Sequence, residues 1–444
     1  GSVAGRFWSS RVAGSAALNE GVSSMSRTKW AGLGILAGAA LVAGACASGE
    51  RAWGGTMTDS AGITIVESPA EGLWPAGLGP EITEDLTIGN AEGDPDYQFG
   101  QIAGIDVTSD GSIYVLDQQA RQVRVFDPAG TFVKTIGGPG QGPGEFSQAT
   151  MGLLATAGDT ILVPDLMLQR LDRFTADGTF ISQMPMPMAT GGVSVRWAER
   201  PDGMLVQEAR MMQVPGMMDA EPAIHLLRRH PGGELADTIL TLSIPQSFEL
   251  DTAGGQVRAS IRLFESEPVW TLAEDGRILF AMNSAYDITV YSEDGRQQER
   301  IIRRTWERKP VTDGDKQAFM KLLTDLWSQQ PQVTPQALEF LRNSVSFADY
   351  YPAFTNLLGG PGNTIWVQHV QTAADMDEGV EFNPQDMGSP RWDVFDRDGR
   401  YLGEVTLPDR YTPLRVIGDR IWGIWRDDLD VQYVKALTVT MPVE

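Results

Sequence analysis

Three histidines, one cysteine and several dense acidic stretches are the residues of this chain that could carry chemistry. The histidines are His225, His230 and His369. No H-x-x-x-H or H-E-x-x-H pair occurs and no histidine stands beside a cysteine, so the usual zinc donor sets are missing. Carboxylates gather at Asp375, Asp377, Glu378 and Glu381, and again at Asp427, Asp428 and Asp430. Either group could hold Ca²⁺ through oxygen ligands, but neither has the EF-hand spacing. The expectation is therefore no cofactor and no assigned metal ligand, with Ca²⁺ as the one ion these carboxylates could serve. Met211, Met212, Met217 and Met218 surround Pro215 and Gly216. They could bind a soft ion such as Cu(I) or offer an adaptable apolar surface, and loop packing is the plainer reading. Gly137–Phe146 (GGPGQGPGEF) is glycine-rich, but it lacks the Gly-Lys-Ser/Thr that leads a phosphate loop into a helix. It reads as a connection between strands. The sequence has no G-x-S-x-G nucleophile elbow, so no catalytic residue is assigned.

The elements that would position these residues are repeated. A strand–turn–strand unit recurs as VFDPAGTFVKTI (125–136), RFTADGTFISQM (173–184), VYSEDGRQQERI (290–301) and VFDRDGRYLGEV (394–405), with a looser copy at 226–239. Each carries glycine where a tight turn needs positive φ. A preceding strand recurs six times: SIYVLD (112–117), TILVPD (160–165), MLVQEA (204–209), RILFAM (277–282), TIWVQH (364–369) and RIWGIW (420–425). These strands are apolar on both faces, whereas a one-sided antiparallel sheet would alternate. Small sheets stacked around a ring cover both faces at once. The fold class is all-β, a six-bladed β-propeller over residues 62–442. The last unit lacks its turn and outer strand, and Gly62–Ser68 (GITIVES) is the segment expected to pair there and close the ring.

Residues 86 apart, Gly276 and Gly362, correspond to a spacing of 47 between Gly111 and Gly158. The excess predicts a helical hairpin inserted between blades four and five, over 312–350. Phe319, Leu322, Leu323 and Leu326 have helical spacing, and Thr334-Pro335 is a cap followed by proline at the first helical position. The hairpin runs into Tyr350-Tyr351-Pro352-Ala353-Phe354. Inserted loops on a rigid scaffold often carry function, so Trp327, Tyr350, Tyr351 and His369 are the candidate ligand-binding residues.

The N-terminus has a different character. Met25 opens a segment in which Arg27 and Lys29 precede an apolar run from Trp30 to Ala45. That run, 16 residues, falls short of the roughly 20 that span a bilayer, and its layout is that of an export signal. Val42-Ala43-Gly44-Ala45-Cys46 resembles a bacterial lipobox, which implies cleavage before Cys46 and lipidation of its sulfur. The expected organisation is an upstream extension (1–24), a signal peptide (25–45), a flexible tether (46–61) and the propeller. Ala47 in place of aspartate favours the outer membrane. The net charge of −23 argues against nucleic-acid binding and leaves a lipid anchor as the expected membrane contact; loss of 1–45 makes the charge more negative still.

The motif DGSIYVLD followed by VFDPAGTFVKTIGGPGQGPGEF is similar to the NHL-like six-bladed propeller lipoproteins of bacterial envelopes. The resemblance covers about 62–442 and is strongest over 100–184; it implies fold and export. Two functions are compatible with it. One is a non-catalytic binding or scaffolding module for an envelope protein or a small-molecule or glycan ligand. The alternative is a divalent-metal-dependent hydrolase resembling gluconolactonase-type propellers, which would need three or more convergent Asp, Glu, Asn or His side chains in the channel.

Overall fold

The computed structural model describes residues 53–75, 77–187, 192–211, 221–244, 248–251, 258–328, 333–373, 375 and 388–442. Cys46, most of the methionine cluster and most of the first acidic cluster lie outside them. The described residues form six sheets of at least four strands, a six-bladed β-propeller with blades at 102–136, 154–185, 193–243, 268–304, 356–406 and 411–440. Each blade is an antiparallel meander whose first strand is innermost. The predicted repeat strands are the second strands of the blades, and they are the most buried: all five residues of Ile113–Asp117 are inaccessible.

Their two apolar faces have two different partners. Ile113 and Val115 pack with Trp422 and Val434 of blade six, whereas Tyr114 and Leu116 pack with Ile161 and Val163 of blade two. Comparable clusters fill the remaining interfaces around the ring. The core is thus six interfaces rather than one centre, which is why period-two alternation is absent from these strands.

The turns follow their chemistry. Asp127 Oδ1 accepts from the N–H groups of Ala129 (2.9 Å) and Thr131 (2.8 Å). Asp396 does the same for Asp398 (2.9 Å) and Arg400 (2.8 Å). The glycine that follows, Gly130 at φ 82° and Gly399 at φ 86°, occupies the left-handed region that a side chain disfavours. The glycine-rich segment 137–146 is an inter-blade connection. Arg170 of blade two donates to the carbonyls of Gln141 (3.0 Å), Gly142 (2.7 Å) and Glu145 (2.7 Å). Its backbone carbonyls are therefore turned toward a guanidinium, the opposite polarity from a phosphate cradle.

Two expectations about the N-terminal segment are corrected. Ring closure is made by Glu81–Ile88, which pairs antiparallel with Gln432–Thr440 from Ile88↔Val434 to Glu81↔Thr440. Ile63–Ser68 instead pairs parallel with the outer strand of blade four, Gln298–Arg304. The expected tether also ends earlier than residue 61: Thr56–Ser60 is a strand paired with Ile63–Ser68, turned by Ala61 and Gly62 at positive φ. Between these strands, Leu73 and Trp74 donate to the carbonyls of Tyr401 (3.2 Å) and Leu402 (2.7 Å) on blade five. Residues 56–75 and 77–88 therefore run along the outer edges of blades four, five and six. Gly72 lets the chain approach, because a Cβ there would lie 2.3 Å from the Leu402 oxygen.

The helical insertion is present as α1 (Asp313–Ser328) and α2 (Pro335–Asn343). Thr334 caps α2 by accepting from the Ala337 N–H at 3.2 Å. Phe319 is fully buried in a satellite core with Phe264, Val311, Ala348 and Tyr351.

Candidate functional site

The six innermost strands enclose a channel of about 680 Å³, a volume typical of small-molecule sites. Its wall is mostly apolar, with Ile105, Leu153, Trp197, Leu272, Leu358 and Val416, and is interrupted by the charged side chains of Arg196, Glu199, Arg200, Glu274 and Arg415. Three innermost strands carry an extra residue: the register shifts between Ile102 and Gly104, between Ser194 and Arg196, and between Pro413 and Arg415. A bulge re-aims the side chain beside it. Gly104, Arg196 and Arg415 each follow the inserted residue and each lines the channel.

The two arginines differ in their partners. Arg415 of blade six forms an ion pair with Asp106 of blade one. Asp106 is fully buried and also accepts from the N–H groups of Ala155 (2.7 Å) and Val107 (2.8 Å), so one carboxylate ties three blades together. Burial raises its pKa against the pull of Arg415 and the backbone donors. Arg196 of blade three donates from Nη1 to the carbonyl of Trp270 at 2.7 Å and lies 5.2 Å from the centre of that indole. Glu208 does not pair with it; that carboxylate accepts from Trp270 Nε1 (2.7 Å) and Arg210 Nε (2.6 Å). Glu199 accepts from the Ala157 N–H at 2.7 Å, and burial raises its pKa.

A second polar cluster sits between blades four and five. Asp393 is fully buried and accepts from Tyr286 OH (2.6 Å), Tyr401 OH (3.0 Å) and Arg304 Nη1. His369 Nε2 lies 3.0 Å from Asp393 Oδ1 and 3.8 Å from Glu404 Oε2, but it makes no hydrogen bond of acceptable direction. Among the described residues this is the one convergence of three metal-binding side chains. It does not suit a cation, because the Arg304 guanidinium already supplies the positive charge beside the carboxylate. It is also separate from the channel, whose lining residues do not include it. Burial would raise the Asp393 pKa, but His369, Arg304 and Tyr286 outweigh it and hold it below the usual value. The stabilising contribution of ionised Asp393 is full above the ordinary carboxylate range and is lost as pH falls from there through the lowered folded value. Asp393→Ala is expected to lose about 3–5 kcal/mol at neutral pH by chemical denaturation, with the deficit narrowing in acid. A deficit independent of pH would remove the ionised network from the account.

The residues expected to bind a ligand are dispersed. Tyr351 is 4% exposed, with its ring 4.6 Å from that of Phe264, and so belongs to the satellite core. His369 belongs to the Asp393 cluster. Trp327 is half-buried on α1. Tyr350 is 39% exposed beneath the guanidinium of Arg308, 3.8 Å from its ring centre. Of the second acidic cluster, Asp427 accepts from the N–H groups of Leu429 and Val431 at 2.9 Å each. Asp428 and Asp430 pair with Arg410 and Arg426. The channel arginines were not singled out from the sequence, although a signal exists: VRWAERPDG (195–203) aligns with AGIDVTSDG (103–111), which places arginine at a repeat position in an innermost strand.

Residues 92–206 match the family model described as a six-bladed β-propeller, DUF5128. No curated protein sequence matches the chain. Among solved structures, a Bacteroides fragilis protein inferred to be exported aligns at 11% identity and TM-score 0.50, over 86% of this chain and 100% of that one. A DUF4221-family member from Bacteroides vulgatus aligns at 9% identity and TM-score 0.43, over 82% and 99%. Virginiamycin B lyase from Staphylococcus aureus aligns at 12% and 0.41, over 81% and 99%. At these identities the likeness is one of fold alone.

Proposed function

We propose that this chain is an exported, lipid-anchored propeller that acts as a non-catalytic binding or scaffolding module at the cell envelope. The observation that carries the reading is an asymmetry between the two faces of the ring. In a four-stranded meander, the first-to-second and third-to-fourth turns share one face, and the remaining connections share the other. On the first face the connections are short turns such as 108–112, 127–131 and 396–400. The other receives the helical insertion and the described ends, Met211, Ala223, Val370 and Gly388, of two second-to-third connections. It also presents Met167 (65% exposed), Phe340 (47%), Tyr350 (39%) and Leu429 (81%). Variable connections on a rigid scaffold are where proteins place recognition, and accessible aromatic and methionine side chains suit a protein or glycan partner.

The lipobox-like run ending at Cys46 supports export and anchoring. Among the described residues, no helix is long and apolar enough to cross a membrane, which is compatible with attachment by lipid. The metal-dependent hydrolase reading is less well supported, because the channel arginines stand where that chemistry would need convergent carboxylates or histidines.

A photo-crosslinking residue placed at Tyr350 is expected to capture a specific envelope component in living cells, whereas one placed at Asp398 on the short-turn face is not. Equal capture from both faces, or none from Tyr350, would refute docking on the elaborated face. Loss of lipid labelling in Cys46→Ser would support the anchor, and unchanged labelling would exclude it.

A further inference from the structure

We propose that the central channel binds one organic anion, a carboxylate carried on an apolar body, through the guanidinium of Arg196. Arg196 lines the channel, and its protein contacts are the Trp270 carbonyl and the face of that indole. Among the described residues, no carboxylate lies within ion-pair distance of it. The neighbouring acids are already held: Glu208 by Trp270 and Arg210, Asp106 by Arg415, and Glu199 by the Ala157 N–H. A half-buried guanidinium with one hydrogen-bonded acceptor has donors left over to offer a ligand. Burial lowers the pKa of Arg196, and the like charge of Arg415 adds to it, against the opposing pull of the Glu208 carboxylate, which lies beyond ion-pair distance.

The bulge between Ser194 and Arg196 supplies the second observation. Without it the side chain at this position would keep the pleat's alternation. With it, Arg196 faces the lumen among Ile105, Leu153, Trp197, Leu272 and Leu358. Arg200 and Arg415 also line the channel, but each is held in an ion pair, so Arg196 is the forked cation left to match a single carboxylate bidentately. Arg415 adds no further net charge because Asp106 neutralises it, and Glu199 and Glu274 also line the channel. A phosphate dianion would therefore be left under-compensated, whereas a monoanion pairs one-to-one with the Arg196 guanidinium. The volume of about 680 Å³ accommodates a body of small-molecule size.

This site rests on the channel alone and is independent of the docking proposed for the elaborated face. Isothermal titration of the purified protein with 2-naphthoate is expected to show one site per chain. 2-Naphthamide, of the same shape without the charge, is expected to bind at least tenfold more weakly. Arg196→Met, which keeps the aliphatic length, should lose naphthoate binding at least tenfold, and Arg196→Lys should lose less. Should the methionine variant fail to fold, phenylglyoxal labelling of wild type read by mass spectrometry serves instead: naphthoate should protect Arg196. Equal binding of the acid and the amide, no binding of the acid, unchanged binding by the methionine variant, or labelling of Arg196 unaffected by naphthoate would each overturn the proposal.

Discussion

A version of the protein that begins at residue 90 is expected to lose its cooperative unfolding transition, whereas one that begins at residue 69 keeps it with reduced stability. The difference follows from where the two early strands sit. Glu81–Ile88 is the fourth strand of blade six, and its pairing with Gln432–Thr440 is what joins the early chain to the last blade. Without it, Gln432–Thr440 becomes an open edge, which favours aggregation. The interface between blades six and one also loses Ile88, 1% exposed and packed with Ile113, Phe126 and Val434. Ile88→Ala alone should cost about 2–5 kcal/mol. By contrast, blade four already has four strands of its own before Ile63–Ser68 is added. The hairpin of Thr56–Ser60 and Ile63–Ser68 contributes chiefly buried Val66 and Ser68, the former worth roughly 1.5–3 kcal/mol. Thermal unfolding followed by circular dichroism distinguishes the two truncations. If both melt alike, closure by Glu81–Ile88 is not what holds the ring.

Arg415→Met is expected to destabilise the protein by about 3–5 kcal/mol at neutral pH, because it leaves Asp106 buried without its counter-charge. Asp106 is fully buried and its carboxyl is held above the ordinary range by that burial. For a carboxyl with a raised folded pKa, the favourable contribution is complete below the unfolded value. It is lost as pH rises through the folded one. Removing the arginine raises that folded pKa further, so the penalty of the variant should grow with rising pH and shrink in acid. The double variant Arg415→Met/Asp106→Asn should recover part of the loss, since the amide carries no charge and its one oxygen still accepts from either Ala155 or Val107. Urea unfolding at acid and neutral pH measures both effects. A single-variant penalty that is the same at acid and neutral pH would mean that the pair acts through packing rather than charge.

Much of the architecture was legible because it rests on short-range rules. Consecutive apolar residues in Ile161–Val163 and Ile278–Phe280 called for cover on both faces. Asp-Gly turns marked the blade corners, and Thr334-Pro335 marked the start of α2. The identity of the closing strand was not legible. Ile63–Ser68 has the stronger β-forming composition, while Glu81–Ile88 (EITEDLTI) is acidic and alternating, as suits an outer edge with one face covered. Propensity says that a segment is a strand but not which strand it meets.

The candidate site divides in the same way. The sequence by itself determined the repeat, the number of blades, the inserted helices and the acidic character of the chain, because each depends on residues close together in sequence. The tertiary structure decided which polar groups meet. Asp106 meets Arg415 across the join of blades one and six, Asp393 meets Arg304 between blades four and five, and Arg196 faces the channel through a bulge. Those meetings depend on register and ring closure, where one extra residue in a strand changes the direction of a side chain without altering the composition around it.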